Sequence, residues 1–239
     1  MIALISDVHG NYPALEAVLR EIDRLDCESI VSLGDVAGYY CMLNECIEEL
    51  RSRKIVNLRG NQDDYLLSGK GCPRSSSASR CLEFQARLIS SDHRQWLEQS
   101  LMSLTLGEAS LVHGGWIDLL DEYLYELSPQ YFAALPGRFF FSGHTHVQVL
   151  QDLDGRTYCN PGSVGQSRDG DPRAAFALWN GTEVLVKRVG YDVDSMCRKM
   201  HDVGFESRFY VNLLNGTRIG GGISTVRVQP RVAAKRHDS

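Results

Sequence analysis

Asp7 and His9 are the first residues whose types and spacing could do chemistry. They stand two apart in Ile-Ala-Leu-Ile-Ser-Asp-Val-His-Gly-Asn, which runs from Ile2 to Asn11. An extended strand puts side chains two apart on one face, so a carboxylate and an imidazole can project together from a strand end. Oxygen plus imidazole suits manganese, iron, nickel or zinc better than calcium, which takes oxygen ligands. The plain alternative is a strand end whose Asp and His make loop hydrogen bonds.

Four later loops repeat the arrangement, each after an apolar run: Gly34-Asp35-Val36-Ala37-Gly38, Arg59-Gly60-Asn61-Gln62-Asp63, His113-Gly114-Gly115 and Gly143-His144-Thr145-His146. His9, His113, His144 and His146 fall in these loops, whereas His93, His201 and His237 scatter elsewhere. Histidines that were merely solvated would scatter throughout, so convergence at one rim is expected.

The elements that must position them follow from periodicity. Leu15, Val18, Leu19, Ile22 and Leu25 recur at helical spacing behind Pro13, and Leu43 to Arg51 forms a second helix. Ile2–Ile5, Ser29–Leu33 and Lys54–Leu58 are short apolar strands, so strand, polar loop and helix alternate as in parallel sheets, where ligands gather beyond the strands' carboxyl ends. Residues 68 to 79 are loop-like and those to about Ser100 helical, an insert expected to cap the site over about 68–101. Strands follow near Leu104 and Ser110, a helical stretch from Asp118 to Leu135 restarts at Pro129, and a strand runs from Arg138 to Ser142. Hairpins turn at Asp154-Gly155 and Asn180-Gly181. Two short helices, about 194–203 and 206–214, close a single domain of 1–215. Residues 216–239, with a basic end carrying Arg227, Arg231, Lys235 and Arg236, are expected to form a flexible tail.

Composition limits the function. At 239 residues and 43% hydrophobic the chain can bury a sizeable core. A formal charge of -5 argues against a broad nucleic-acid-binding surface, while leaving room for a local basic cleft. Seven cysteines with no C-x-x-C pair suggest neither a disulfide framework nor a thiolate zinc site. Without a leader-like start or an 18-residue apolar run, the expected setting is the cytoplasm, away from membranes. No Gly-x-Ser-x-Gly elbow supports a serine hydrolase, and Ser6, Cys41 and Cys46 are taken as structural.

Ser-Asp-Val-His-Gly-Asn, Gly-Asp-Val-Ala-Gly, Arg-Gly-Asn-Gln-Asp, Val-His-Gly and Gly-His-Thr-His occur in this order between residues 6 and 146. Together they resemble the five blocks of the calcineurin-like metallophosphoesterases. The downstream Asn160-Pro-Gly-Ser-Val-Gly165 loop resembles the compact bacterial and archaeal phosphodiesterase branch. The resemblance implies an α/β fold, a four-layer α-β-β-α sandwich of two mixed sheets, with a dinuclear site at strand ends. It implies that Asp7, His9 and His146 hold one divalent transition-metal ion, that Asn61, His113 and His144 hold the other, and that Asp35 bridges them. Manganese is preferred over iron, nickel or zinc. The implied chemistry is in-line attack on phosphorus by a metal-bridging hydroxide.

One position departs from the pattern. Much of the family has Gly-Asn-His-Asp in the third block, with the His assisting the leaving group and the Asp orienting it; here the residues are Asn61, Gln62 and Asp63. An amide can donate a hydrogen bond but cannot give up a proton, so substrates with basic leaving groups should suffer most. Any acid must come from elsewhere, with His93 of the cap a candidate. The expected activity is phosphodiester hydrolysis of a small, nucleotide-type phosphate ester. Phosphoprotein phosphatase, dinucleoside polyphosphate hydrolase and a non-enzymatic scaffold are the alternatives.

Overall fold

Strands that alternate side chains between two apolar surfaces set the architecture. The computed structural model describes residues 1–229. In chain order the elements begin β1 (Ile2–Ile5), α1 (Tyr12–Asp23), β2 (Ser29–Ser32), α2 (Leu43–Ser52), β3 (Val56–Asn57), α3 (Asn61–Ser68), α4 (Ser76–Leu88) and α5 (Ser91–Glu98). They continue with β4 (Leu104–Leu106), β5 (Ala109–Leu111), β6 (Glu126–Leu127), α6 (Pro129–Ala133), β7 (Phe139–Phe141), β8 (Val149–Leu153) and β9 (Arg156–Asn160). β10 (Ala174–Trp179), β11 (Val184–Val189), α7 (Val193–Asp202) and β12 (Arg227–Val228) complete the described chain.

Two mixed five-stranded sheets result, in the orders β11-β10-β1-β2-β3 and β4-β5-β7-β9-β8. β1, β2 and β3 run parallel in the first sheet, and β5, β7 and β9 in the second. Leu4, Val31 and Trp179 of the first sheet meet Leu111, Phe139 and Phe141 of the second between the sheets. Their neighbours Ala3 and Ile5 face the other way, against Leu15, Val18, Leu19 and Ile22 of α1 and Ile47 and Leu50 of α2. Phe140 likewise turns outward, onto Phe132 and Tyr158. The period of two along Ile2–Ile5 and Phe139–Phe141 thus buries both faces of each strand, and the expected α/β sandwich is present. The outer face of the second sheet is covered by the short α6 and by Leu124 and Leu127 rather than by a long helix.

Four expectations are corrected. The stretch from Asp118 is not helical, because the Asp118 carboxylate accepts the N–H groups of Leu120 and Asp121 and closes a turn; β6 and α6 follow. Residues 61–63, expected in the loop after β3, open α3 instead: Asp63 in its first turn accepts the Gly60 N–H, and Asp63 and Asp64 suit the positive helix end. From 216 to 229 the chain packs onto the body instead of hanging free, with Thr217 and Ser224 buried and β12 paired parallel to β6. Residues 230–239, including Arg231, Lys235 and Arg236 of the expected tail, lie outside the described residues. The expected second helix near 206–214 is two 3-10 turns, Ser207–Phe209 and Val211–Leu214. Among the described residues no helix is long and apolar enough to cross a membrane.

Candidate active site

All six parallel strands end at one edge of the sandwich, and the loops that leave β1, β2, β3, β5 and β7 there carry the residues singled out from the sequence. Asp7, His9, Asp35 and His146 form one buried group of potential metal-ligating atoms, and Asp35, His113 and His144 a second. Asp35 belongs to both. Its Oδ1 accepts the Gln62 N–H at 2.8 Å, while Oδ2 stands 3.7 Å from His9 Nε2 and 3.4 Å from His113 Nε2. His146 Nε2 lies 3.2 Å from Asp7 Oδ1, and Asn61 Oδ1 lies 3.2 Å from His113 Nε2. The structure therefore brings together all seven residues expected to hold metal.

The histidine tautomers follow from their partners. Nδ1 of His9, His113 and His146 faces the carbonyl oxygens of Ala37, Leu33 and Gln166 at 2.7, 2.9 and 2.7 Å. A carbonyl only accepts, so each Nδ1 carries the proton and each Nε2 turns a lone pair toward the cluster, the arrangement of metal-binding imidazoles. His9 and His146 then point lone pairs at each other across 3.1 Å, which is repulsive unless a cation lies between them. Asp7 Oδ1 and His144 Nε2 are buried without a hydrogen-bond partner, an expense of about 1–3 kcal/mol for such a group. This donor set fits a pair of divalent cations.

Electrostatics of the metal-free cluster favour neutral imidazoles at His9, His144 and His146 but not at His113. Burial, then the charge His146 would carry, pull His9 down to about 3. Burial, followed by His113 for His144 and by Arg168 for His146, holds those two well below the usual histidine value. His113 goes the other way: burial pulls it down, but the adjacent Asp35 outweighs burial and raises it to about 10.

Local backbone explains how these side chains meet. Asp7, His9, Asp35, His144 and His146 all have φ between 54° and 66°, the left-handed region that residues with a Cβ seldom adopt. Asp7 and His9 share the site because each is wound back after β1 has ended, not because an extended strand aligns them. The first two loops are zipped together by Asp7 N–H to Gly34 O and His9 N–H to Asp35 O, at 2.9 and 3.0 Å. The 160–165 loop clamps the other side: Ser163 Oγ donates to Asp7 O, Asn160 Nδ2 to Gly143 O, and His144 N–H reaches Asp7 Oδ2. Gly60 has no room for a Cβ, which would collide with Asp35 Oδ1, so this glycine serves the approach of a ligand's carboxylate rather than of an ion.

A family model, the calcineurin-like phosphoesterase superfamily domain, matches residues 1–182. The chain belongs to that superfamily. It is 31% identical to a metallophosphoesterase from Sphaerobacter thermophilus, whose crystal structure superposes with a TM-score of 0.79 over 90% of this chain and 99% of that one. A hypothetical protein from Pyrococcus horikoshii, 18% identical, shares the fold at a TM-score of 0.82 over 91% of this chain and all of its own. An uncharacterised protein of Methanocaldococcus jannaschii is 26% identical over 228 residues, 84% of this chain and 91% of that protein.

Around this phosphoesterase cluster opens a cleft of about 340 Å³ lined by Tyr39, Gln62, Tyr123, Gln166, Arg168 and Arg218, among others. Gln62 is buried, its Oε1 unpartnered and its Nε2 3.8 Å from Cys72 Sγ. Asp63 does not face the cleft's contents. Its carboxylate accepts the N–H groups of Asp35, Ala37 and Gly60 at 2.9, 2.8 and 3.0 Å, so it fixes the loop that presents Asp35. Burial and the neighbouring Asp35 push its carboxyl up to about 7 against those donors. His93 is not a reserve acid: its ring bonds Asn44 Oδ1 and Glu48 Oε2 on α2. In the cap, Gln85 of α4 instead braces the second loop, bonding Gly38 on both sides and Tyr40 O. Sequence reasoning missed Tyr39, Tyr123, Arg168 and Arg218. Only Arg168 offered a signal, lying just past the glycine-rich 160–165 loop.

Proposed function

We propose that this protein is a metal-dependent phosphoesterase that hydrolyses phosphodiester-type phosphorus in a small substrate. The observation that carries the reading is the convergence of two ligand groups on one shared carboxylate, Asp35. Asp7, His9 and His146 would hold one divalent cation, Asn61, His113 and His144 the other, with Asp35 between them. When bound, such a pair activates solvent as the nucleophile and offsets phosphoryl charge. The chain's own residues do the rest. Backbone carbonyls hold three imidazoles in the ligating tautomer, Asp63 pins the Asp35 loop, and Gln62 can donate one hydrogen bond to a leaving oxygen without protonating it. A leaving group that needs no proton is therefore favoured, which supports esters other than simple alkyl phosphates.

Manganese is the metal expected to serve best, and a reducing cytoplasm is the compartment that fits an odd number of cysteines. The test is turnover of p-nitrophenyl mono- and diesters by the purified protein with added manganese. Preference for bis-p-nitrophenyl phosphate supports the reading, and preference for the monoester would replace it with a phosphatase. Inertness with every divalent metal would leave the fold as a binding scaffold.

A further inference from the structure

The wall of the cleft beside the ligand cluster is cationic in a way the fold itself does not require. Arg168 is buried, its Nε and Nη2 donate to Gln166 Oε1 at 3.0 and 2.6 Å, and Nη2 also reaches Tyr39 Oη at 3.0 Å. Its Nη1 has no hydrogen-bond partner and the guanidinium no carboxylate partner among the described residues. Arg218 is similar: Nε donates to Ser224 Oγ at 2.7 Å and Nη2 to Tyr125 Oη at 2.9 Å, again without a carboxylate. Both guanidinium groups lie over tyrosine rings, Arg168 over Tyr39 at 5.4 Å and Arg218 over Tyr125 at 5.6 Å. Arg74, by contrast, is paired with Asp121. Arg188 of β11 is paired as well, with Asp169 and Asp171.

An unpaired buried cation costs several kcal/mol, and neutral partners that orient it do not cancel its charge. Its place is informative. Tyr39, which accepts from Arg168, packs edge-on against His9 at 4.7 Å between ring centres, so the free guanidinium stands one aromatic ring away from the ligand cluster.

We propose that Arg168 and Arg218 form a subsite for a second phosphoryl group, and that the natural substrate is a phosphoanhydride whose leaving group is itself a phosphate, as in a dinucleoside oligophosphate. This rests on the phosphoesterase reading and explains its odd residue. The oxygen of water bonds to the attacked phosphorus and the bond from that phosphorus to the bridging oxygen breaks. The electron pair remains on that oxygen, which departs as part of an anionic phosphate, and the proton of the water passes to solvent. Such a leaving group needs no acid, so Gln62 suffices where a histidine would otherwise serve. The charge that develops on the departing phosphate falls to planar guanidinium donors, which match it in shape as well as sign.

The test uses the full-length protein loaded with manganese and compares kcat/KM for a dinucleoside tetraphosphate with that for bis-p-nitrophenyl phosphate, which has no second phosphoryl group. A hydrogen bond to a charged group is worth about 10- to 100-fold, so R168Q should lower the ratio of the two by about that much. R218Q, in an exposed position, should lower it by about 10-fold without jeopardising the fold. Calorimetry with inorganic tripolyphosphate should show weaker binding by R218Q, with a smaller change for orthophosphate. Unchanged ratios and unchanged tripolyphosphate binding overturn the subsite. A wild-type protein that cleaves bis-p-nitrophenyl phosphate but not the tetraphosphate also overturns it while leaving the phosphoesterase reading intact. A protein inert to both with every divalent metal overturns that reading and the subsite together.

Discussion

The ligand cluster and the arginine-tyrosine wall of the adjoining cleft abut through Tyr39 and Tyr123, whose rings pack on His9 and His144, yet they are built on different terms. Every member of the cluster follows a parallel strand within a few residues, is fully buried, and is held by backbone hydrogen bonds between neighbouring loops. Five of its residues carry left-handed backbone, a strain of order 1–3 kcal/mol each that persists only where surrounding structure enforces it. The wall is drawn from segments with no common origin: the loop before α4, the turn after β5, the run after the 160–165 loop, and the chain beyond α7. Its side chains lean on one another through rings and hydroxyls rather than through strained backbone. The cluster is fixed by the fold, whereas the wall's arginines are not held by such left-handed backbone.

The largest expected effect tests whether the cluster acts as one unit. Replacing Asp35 by Asn keeps the shape and the Gln62 N–H contact but removes the charge common to both ligand groups. Activity with manganese should fall by at least about 10²–10³-fold, the scale of losing one preorganised electrostatic partner, and metal analysis should find both ions depleted. If one equivalent of manganese per chain survived, Asp35 would not be the shared ligand, and the contrast between a unitary cluster and a modular wall would weaken.

That contrast also explains what could be read from the chain alone. Asp7, His9, Asp35, Asn61, His113, His144 and His146 were legible because strand-end loops keep chemistry and glycine punctuation within a few consecutive residues. The two sheets were legible because Ile2–Ile5 and Phe139–Phe141 are too short and apolar to be anything but buried strands. The wall was not: the place of Arg168 just past the 160–165 loop is a hint, but the sequence does not show that Arg188 meets a carboxylate and Arg168 does not. The overall charge of -5 left room for a basic cleft without placing it. Tyr123 and Tyr125 were hidden by an apparent helix that the Asp118 turn prevents, and Arg218 by a glycine-rich stretch that looked like a tail.

Gln62 sits where cluster and wall meet, and exchanging it for His sharpens the comparison. An imidazole there could protonate a departing alkoxide, and general acid catalysis contributes about 10²–10⁴-fold. Allowing for imperfect placement, Q62H should raise the ratio of alkyl to p-nitrophenyl ester turnover by about 10- to 100-fold. An unchanged ratio would mean that this position does not face the leaving group.

A smaller effect concerns the cluster's own electrostatics in metal-free protein. His9 is held down to about 3 in the fold, and His144 and His146 well below normal, while in the unfolded chain each titrates near 6.5. Between those values the unfolded chain binds more protons, so these three groups make stability fall as pH drops through about 6.5. Asp63, raised to about 7, opposes this, because its folded form holds a proton that the unfolded form has released above an ordinary 3.8. His113, raised to about 10, adds stability that is fully present below 6.5 and is lost as pH rises through 10. Three groups against two, with most of the His113 contribution already present at pH 6.5, predict a lower urea midpoint at pH 5 than at pH 6.5. Manganese at pH 7 should raise the midpoint, because a ligand that binds only the folded state stabilises it. A midpoint indifferent to acid would show that the imidazoles are not held neutral.

The smallest effect is expected at His93, and its smallness is the point. This histidine lies in the cap insert, a plausible source of the proton that Gln62 cannot supply, but its ring spans Asn44 and Glu48 on α2 and reaches nothing in the cleft. Its carboxylate partner is half exposed, and exposed ion pairs are worth about 0–1 kcal/mol. H93A should therefore leave kcat and its pH profile within about 2-fold and lower stability by no more than about 1 kcal/mol. A lost acidic or basic limb in the kcat profile, with folding intact, would instead mean that α5 moves toward the cluster during turnover. The division between a rigid catalytic rim and a separate wall would then have to include the cap.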